Sequence, residues 1–193
     1  AALVAERELA REPGSTVIHN LITSKAVPEI IRENGGEPVR TRVGHSFIKA
    51  KMAETNAVFG GEHSAHYYFR DFWRADSGML AAMHVLAALG QQDKPLSEMM
   101  AKYNRYAASG EINSRLDSAE AQADRTEAVV KAFADRAENV DRLDGVTVEL
   151  KDGNWFNVRA SNTEPLLRLN VEADTQEAVD ALVKEILAII PVS

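Results

Sequence analysis

Residues 166–173 alternate apolar and polar side chains, and this alternation limits the fold of the second half of the chain more than any other feature. One face carries Leu167, Leu169, Val171 and Ala173, and the other carries Arg168, Asn170 and Glu172. Period-two alternation is typical of a half-buried β-strand. A second strand pattern covers residues 155–160. The polar residues between the two patterns are therefore expected to connect two strands.

The connecting stretch runs from Arg159 to Pro165 and reads R-A-S-N-T-E-P. Arg159 offers a planar fork of donors that matches phosphate oxygens, and the turn adds backbone N–H groups. A phosphate-binding loop is one interpretation, and a plain polar turn is an equally good one on spacing alone. A third interpretation is a helix start, since Ser161-x-x-Glu164 matches a capping box and Pro165 suits a first helical turn. The strand alternation that follows argues against the helix.

A second polar loop, Gly60–His66, lies between the apolar run 57–59 and the aromatic run 67–69. The glycines allow a ligand to approach the backbone closely. An ionised Glu62 accepts hydroxyl protons, and Ser64 donates or accepts one. The loop therefore suits a polyhydroxyl ligand, whereas Glu62 taken alone would be interpreted as a solvated surface acid.

These two loops, with the segment V-G-H-S-F-I-K at 43–49, resemble the α-D-phosphohexomutase family and its bacterial phosphomannomutase/phosphoglucomutase branch. The family carries a G-E-x-S-x-H sugar loop in its third domain and an R-x-S-N-T-x-P phosphate loop in its fourth. Both motifs occur here in that order. The resemblance covers the chain from about Ala1 to Ile190.

The resemblance implies a role for each matching residue. Glu62 and Ser64 are expected to bind sugar hydroxyls, and His66 to bind substrate or transfer a proton, although it could instead orient its loop. His45 occupies a position near the family's active site, but a histidine at a helix start is often structural. The residues expected to bind the substrate's phosphate are Arg159, Ser161, Asn162 and Thr163.

A metal site is a competing interpretation, because Glu62, His63 and His66 are clustered in sequence. Zinc requires three or four ligands in tetrahedral geometry, and a histidine pair in one loop is poor support for it. We therefore predict no metal site in this chain. His19 and His84 are expected to be structural.

Two positions depart from the family pattern. Relatives often place a basic residue where this chain has Ile22, with Lys25 nearby, so a substrate contact is doubtful there. Ala65 stands where the sugar loop often has glycine. Alanine is acceptable there unless the backbone needs a positive φ angle.

The family's phosphoserine loop and its D-G-D-x-D-R metal loop do not occur in the sequence. The resemblance therefore implies the C-terminal half of a mutase, with a sugar-binding domain at 1–105 and a phosphate-binding domain at 111–193. Such an enzyme interconverts hexose 1-phosphate and 6-phosphate, with mannose favoured over glucose. Mg²⁺ would be bound by the missing N-terminal domains, and a hexose 1,6-bisphosphate would be the intermediate and activator. The fragment alone is expected to be inactive.

Two other functions stay open. The chain could be a stand-alone module that binds a phosphosugar or a protein without catalysis. It could also belong to a phosphoglucosamine mutase, whose sugar loop usually has Gln and Gly where this chain has His63 and Ala65.

The predicted fold class is α/β. The first domain alternates helices and strands and predicts a mostly parallel mixed sheet, with a strand pattern at 67–74. The second predicts an α+β layer of four mostly antiparallel strands and two helices, one of them at 125–138 and the other at 176–190. Residues 106–110 are expected to form a hinge or linker, and residues 112–116 the first strand of the second domain.

Composition excludes several other classes of protein. The net charge of −7 opposes general nucleic-acid binding, which needs a basic face. No run of residues approaches the ~18 apolar residues of a membrane span. The chain has no cysteine, so disulfides and thiolate metal sites are excluded, and a cytoplasmic location is expected. The sequence does not determine the oligomeric state.

Overall fold

The computed structural model of the protein describes residues 1–161 and 164–190. The chain folds into two units, Ala1–Arg105 and Tyr106–Ser193. None of the helices in these described residues combines the length and apolar character needed to cross a lipid bilayer. A cytoplasmic location stays a prediction.

The first unit contains a five-stranded mixed sheet in the order β2-β1-β3-β4-β5. Its strands are β1 (Thr16–Asn20), β2 (Glu37–Thr41), β3 (Phe59–Gly61), β4 (Tyr67–Phe69) and β5 (Ala75–Asp76). Its helices are α1 (Ala2–Arg11), α2 (Ala26–Glu33), α3 (His45–Thr55), α4 (Gly78–Leu89) and α5 (Leu96–Ala101). The pairs β1–β2 and β1–β3 are parallel, and β3–β4 and β4–β5 are antiparallel.

Helix α3 packs on β1 and β3 through buried Ile48 and Met52, which meet Ile18 and Tyr68 in one cluster. Gly60 makes this approach possible, because a Cβ atom there would lie 2.8 Å from Ile48 Cγ2. The packing fixes the start of α3 beside the end of β3, and the two segments that resemble the family's sugar site meet there.

The second unit contains a five-stranded antiparallel sheet in the order β6-β10-β9-β8-β7. Its strands are β6 (Ala107–Arg115), β7 (Ala137–Asp141), β8 (Val146–Leu150), β9 (Trp155–Ala160) and β10 (Leu166–Ala173). Its helices, α6 (Ala119–Phe133) and α7 (Gln176–Leu187), pack on the face formed by apolar residues such as Phe156, Val158 and Leu169. The alternation in residues 166–173 therefore separates a helix-covered face from a polar one.

The α/β fold class and the α+β second layer are confirmed, but four elements differ from the sequence prediction. The second sheet has five strands rather than four, because residues 137–141 form edge strand β7 instead of ending a helix. This strand is mostly exposed and has no apolar period to detect. Helix α6 ends at Phe133 and begins earlier than predicted, at Ala119, after the N-cap residue Ser118, whose side chain accepts the Ala121 N–H at 3.0 Å.

The hinge predicted at 106–110 is also wrong, since residues 107–110 belong to strand β6, which therefore begins earlier than the strand predicted at 112–116. Small residues suggested a linker, but β6 pairs with β10 and carries an irregularity near Gly110, where φ is +68°. The strand predicted at 67–74 ends at Phe69. Trp73 and Arg74 have positive φ angles of 54° and 53°, so the chain turns there before β5.

Candidate functional site

The loop between β3 and β4 is a tight hairpin. Glu62 N–H donates to His66 O at 3.0 Å, and Ala65 N–H donates to Glu62 O at 3.2 Å. Ala65 has a φ of +64°, in the left-handed region that favours glycine. The backbone at position 65 therefore needs a positive φ angle, which is the condition under which alanine is unfavourable. Alanine adopts this φ angle at an energetic cost.

Both oxygens of the Glu62 carboxylate bind protein donors. Gly44 N–H donates to Oε1 at 2.9 Å, and the Tyr68 hydroxyl donates to Oε2 at 2.7 Å. Glu62 is only 4% exposed, so the alternative of a solvated surface acid is wrong. Burial, together with the bond to Glu62, raises the pKa of Tyr68, which keeps its hydroxyl protonated as a donor. Glu62 thus connects the start of α3 to the 60–66 loop.

A cavity of ≈ 490 Å³ opens where these two segments meet. Its lining includes four residues proposed from the sequence: His45, Glu62, Ser64 and His66. A carboxylate, a hydroxyl and two imidazoles in one cavity can bind several hydroxyl groups at once. His63 is not part of the lining.

The cavity also contains residues that the sequence analysis did not identify. Lys49 lies one helical turn after His45 on α3, a spacing that places the two on the same helix face. Asp76 comes from β5, and only the pairing of β4 with β5 brings it to the loop. The i, i+4 spacing could have indicated Lys49, whereas nothing in the sequence indicated Asp76.

His66 and Asp76 form the shortest polar contact described in the cavity. His66 Nδ1 lies 2.6 Å from Asp76 Oδ2, and Tyr67 N–H donates to Asp76 Oδ1 at 2.8 Å. The bond to Asp76 raises the pKa of His66. Burial opposes ionisation of Asp76, but the bonds from His66 and Tyr67 outweigh it and lower the pKa of that carboxyl.

The remaining histidines and the doubtful basic position lie outside this cavity. His19 is 5% exposed, and burial lowers its pKa to about 4. His84 stacks on Phe69 with ring centroids 5.5 Å apart. Ile22 is buried and supplies no charge, and neither it nor Lys25 lines the cavity.

The described residues contain no group of three or more His, Cys, Asp or Glu side chains that could hold a metal ion.

The second polar stretch connects β9 to β10 as a hairpin in the second unit. Ser161 N–H donates to Leu166 O at 2.8 Å, and no helix starts at Ser161, so the capping-box interpretation is wrong. Arg159 and Ser161 lie at the end of β9. Asn162 and Thr163 lie outside the described residues.

Arg159 is 6% exposed, and its Nε has no hydrogen-bond partner among the described residues. Arg168 lies directly opposite it on β10. The Arg168 guanidinium lies 3.3 Å from Ser161 Oγ and 3.4 Å from Glu164 Oε2. Two guanidinium groups on adjacent strands repel each other unless anions lie near them. Arg168 already lies 3.4 Å from the carboxylates of Glu111 and Glu164, so the donors and charge available for an anion come mainly from Arg159.

Comparison with protein families matches both units. Residues 1–106 match the family description "Phosphoglucomutase/phosphomannomutase, alpha/beta/alpha domain III". Residues 111–189 match "Phosphoglucomutase/phosphomannomutase, C-terminal domain".

Curated relatives agree with this match. A phosphomannomutase of Methanocaldococcus jannaschii is 40% identical over 185 residues, which are 96% of this chain and 40% of the relative. A protein of Xanthomonas campestris pv. campestris strain B100 named "Phosphohexose mutases" is 42% identical over 172 residues, 88% of this chain and 37% of the relative. The chain thus spans about two fifths of the length of these relatives.

A solved structure shares the fold over almost the whole chain. The phosphoglucomutase/phosphomannomutase family protein of Burkholderia thailandensis matches with a TM-score of 0.80 and 31% identity. The match covers 98% of this chain and 41% of that one.

Proposed function

Because the chain belongs to the phosphoglucomutase/phosphomannomutase family, we propose that it forms the substrate-holding part of a phosphohexomutase. In this proposal the whole enzyme interconverts hexose 1-phosphate and hexose 6-phosphate. Mannose is the favoured sugar and glucose a further one. Relatives named phosphomannomutase support this choice.

The observation that carries the proposal is the cavity of the first unit. Glu62, Ser64 and His66 all line this cavity, and a site that binds sugar hydroxyls requires such polar groups close together. The Glu62 carboxylate keeps lone pairs for hydroxyl donors beyond those used by Gly44 and Tyr68. Since both of its oxygens are already fixed by the protein, the acceptor geometry exists before a sugar arrives, which reduces the ordering cost of binding.

The proposed phosphate site is the β9–β10 hairpin of the second unit. The buried guanidinium of Arg159 supplies charge-assisted donors, and Ser161 supplies a hydroxyl and lies beside Arg168. Asn162 and Thr163 are proposed to complete it. In a bisphosphate cycle the same hairpin would hold whichever phosphate is not reacting, so the sugar can be presented in both orientations.

The remaining groups of the reaction are assigned outside this chain. We propose that the N-terminal domains bind Mg²⁺ and carry the phosphoserine; the described residues of this chain offer no metal site. The parts that this chain supplies are positioning and charge, on which phosphoryl transfer mainly depends. The isolated chain should therefore bind substrate without converting it.

The test is a coupled assay of mannose 1-phosphate conversion. The chain alone should give no turnover, and the longer protein that contains it should be active. Arg159→Ala in the longer protein should raise KM roughly 10- to 150-fold, the equivalent of a charged hydrogen bond of about 1.5–3 kcal/mol. Arg136→Ala is the matched control, because it removes the same charge from an exposed pair with Glu185. Equal kinetics in the two variants would remove Arg159 from the site, and an inactive longer protein that still binds the sugar phosphate would favour a stand-alone binding module.

A further inference from the structure

The two carboxylate oxygens of Asp76 have different hydrogen-bond partners. Oδ1 accepts the backbone N–H of Tyr67, the residue that follows His66, at 2.8 Å. Oδ2 lies 2.6 Å from Nδ1 of the His66 ring. The backbone bond fixes the carboxylate relative to strand β4, so the second oxygen can fix the ring.

We propose that Asp76 is the positioning residue for His66, holding the ring hydrogen on Nδ1 and leaving the lone pair of Nε2 for the substrate. An ionised carboxylate only accepts hydrogen bonds, so the nitrogen beside it must be the donor. Neutral imidazole has one N–H, and the partner of one nitrogen therefore decides the state of the other. Nε2 has no described hydrogen-bond partner, and His66 lines the cavity.

This arrangement suits the transfer of a proton from a sugar hydroxyl, and that part of the inference rests on the proposed function. Nε2 accepts the hydroxyl proton, so the O–H bond breaks and an N–H bond forms. The sugar oxygen bonds to the phosphorus of a phosphorylated side chain outside this chain as the bond between that phosphorus and the side-chain oxygen breaks, and the released side-chain oxygen takes a proton from a group outside this chain. The imidazolium that results is stabilised by Asp76. In the reverse direction the imidazolium returns the proton to the departing sugar oxygen, so the ring ends each cycle neutral.

The charges around the ring are compatible with this role. Asp76 and Glu62 both attract a proton to His66, in addition to the direct bond from Asp76. Lys49 and His45 line the same cavity and supply cationic or polar groups. The Tyr68 hydroxyl donates its hydrogen bond to Glu62 and not to His66. The ring is more than half exposed, with 54% of its side chain accessible, so a ligand can reach it.

The first test needs no substitution and no substrate. Nitrogen-15 NMR of the histidine rings in the 193-residue chain, recorded above the ring's titration, should show His66 with its hydrogen on Nδ1. A ring with its hydrogen on Nε2 would overturn the proposal whatever the function of the chain.

The second test compares Asp76→Asn with Asp71→Asn. Both remove one acid, but Asp71 is an exposed partner of Arg70. In Asp76→Asn the amide can donate to Nδ1, so the hydrogen of His66 should move to Nε2 and the ring should titrate at lower pH. Asp71→Asn should change neither.

In the longer protein, Asp76→Asn should lower kcat about 100-fold or more with KM changed far less, as expected for loss of proton transfer. An unchanged kcat would overturn the positioning role. Failure to bind any hexose phosphate, with the predicted tautomer present, would instead reject the proposed function and leave the His66–Asp76 geometry in place.

Discussion

Replacing Tyr68 with phenylalanine tests the network that holds the sugar loop. The hydroxyl of Tyr68 donates to Glu62 Oε2 at 2.7 Å, and Tyr68 and Glu62 are 1% and 4% exposed. Water therefore cannot replace the lost donor without opening the structure. The substitution leaves the ring packing with Ile18, Ile48 and Met52 in place, so the change isolates one hydrogen bond.

A hydrogen bond to a charged group contributes about 1.5–3 kcal/mol, and a buried acceptor left unsatisfied costs a similar amount. We therefore expect Tyr68→Phe to lower the free energy of unfolding by about 2 kcal/mol. In a Glu62→Gln background the same change should cost only about 0.5–1.5 kcal/mol, because the bond is then between neutral groups. Because Glu62 accepts bonds from both Gly44 and Tyr68, we expect Glu62→Gln alone to lower stability measurably as well.

The measurement is equilibrium unfolding in urea, followed by circular dichroism, with the midpoint compared at constant slope. Tyr67→Phe is the matched control, since it removes the hydroxyl of the neighbouring residue of β4, and no hydrogen bond of that hydroxyl is described. It should change stability by less than about 0.5 kcal/mol. If the two variants lose the same free energy, or if the Glu62→Gln background leaves the cost unchanged, the Tyr68–Glu62 bond does not stabilise the loop.

Three further predictions concern backbone strain and acid stability. Gly145→Ala should destabilise the second unit by about 1–3 kcal/mol more than Gly110→Ala. The φ angles at the two positions are similar, +65° and +68°, but only at Gly145 would a Cβ atom approach Val158 O, at 2.3 Å. Equal losses of free energy in urea unfolding would show that strand β9 shifts to accommodate the added atom. Ala65→Gly should stabilise the chain by about 1 kcal/mol, because φ is +64° there, and a lower melting temperature would contradict that reason. The pKa of His19 is about 4 in the folded chain and 6.5 in the unfolded chain, so as pH falls the unfolded chain binds the proton first. The free energy of unfolding should therefore fall as pH drops from 6.5 towards 4. His19→Gln should reduce this dependence of stability on pH, and an unchanged dependence would exclude His19 as its source.

Several strands of the second unit were predictable because their alternation reflects one buried face. Residues 155–160 and 166–173 were predicted as strands with the bounds that the structure has. Strand β7 and the first part of β6 were missed because both strands lie at sheet edges, where few side chains are buried. The neighbour of β6 in the sheet is β10, which is distant in sequence, so local propensity carries no record of that pairing. Strand β7 pairs with the next strand, β8, but its exposed side chains show no apolar period.

The candidate site was predictable to the extent that its residues lie within short motifs. Glu62, Ser64 and His66 came from one loop, and the structure places them in one cavity. Asp76 could not be found in this way, because it lies ten residues from His66 and meets it only through the β4–β5 pairing. The burial of Glu62 was also unpredictable, since it depends on the start of α3 and on Tyr68.

Amide NMR of the 193-residue chain, titrated with mannose 6-phosphate, tests the central claim most directly. Mannose and inorganic phosphate serve as the two partial ligands. We predict that mannose 6-phosphate shifts amides in both the 62–66 loop and the 159–161 strand end, and that inorganic phosphate shifts only the latter. Shifts in neither segment at millimolar concentration, or shifts confined to other surfaces, would contradict the proposal that this chain holds the sugar and its phosphate.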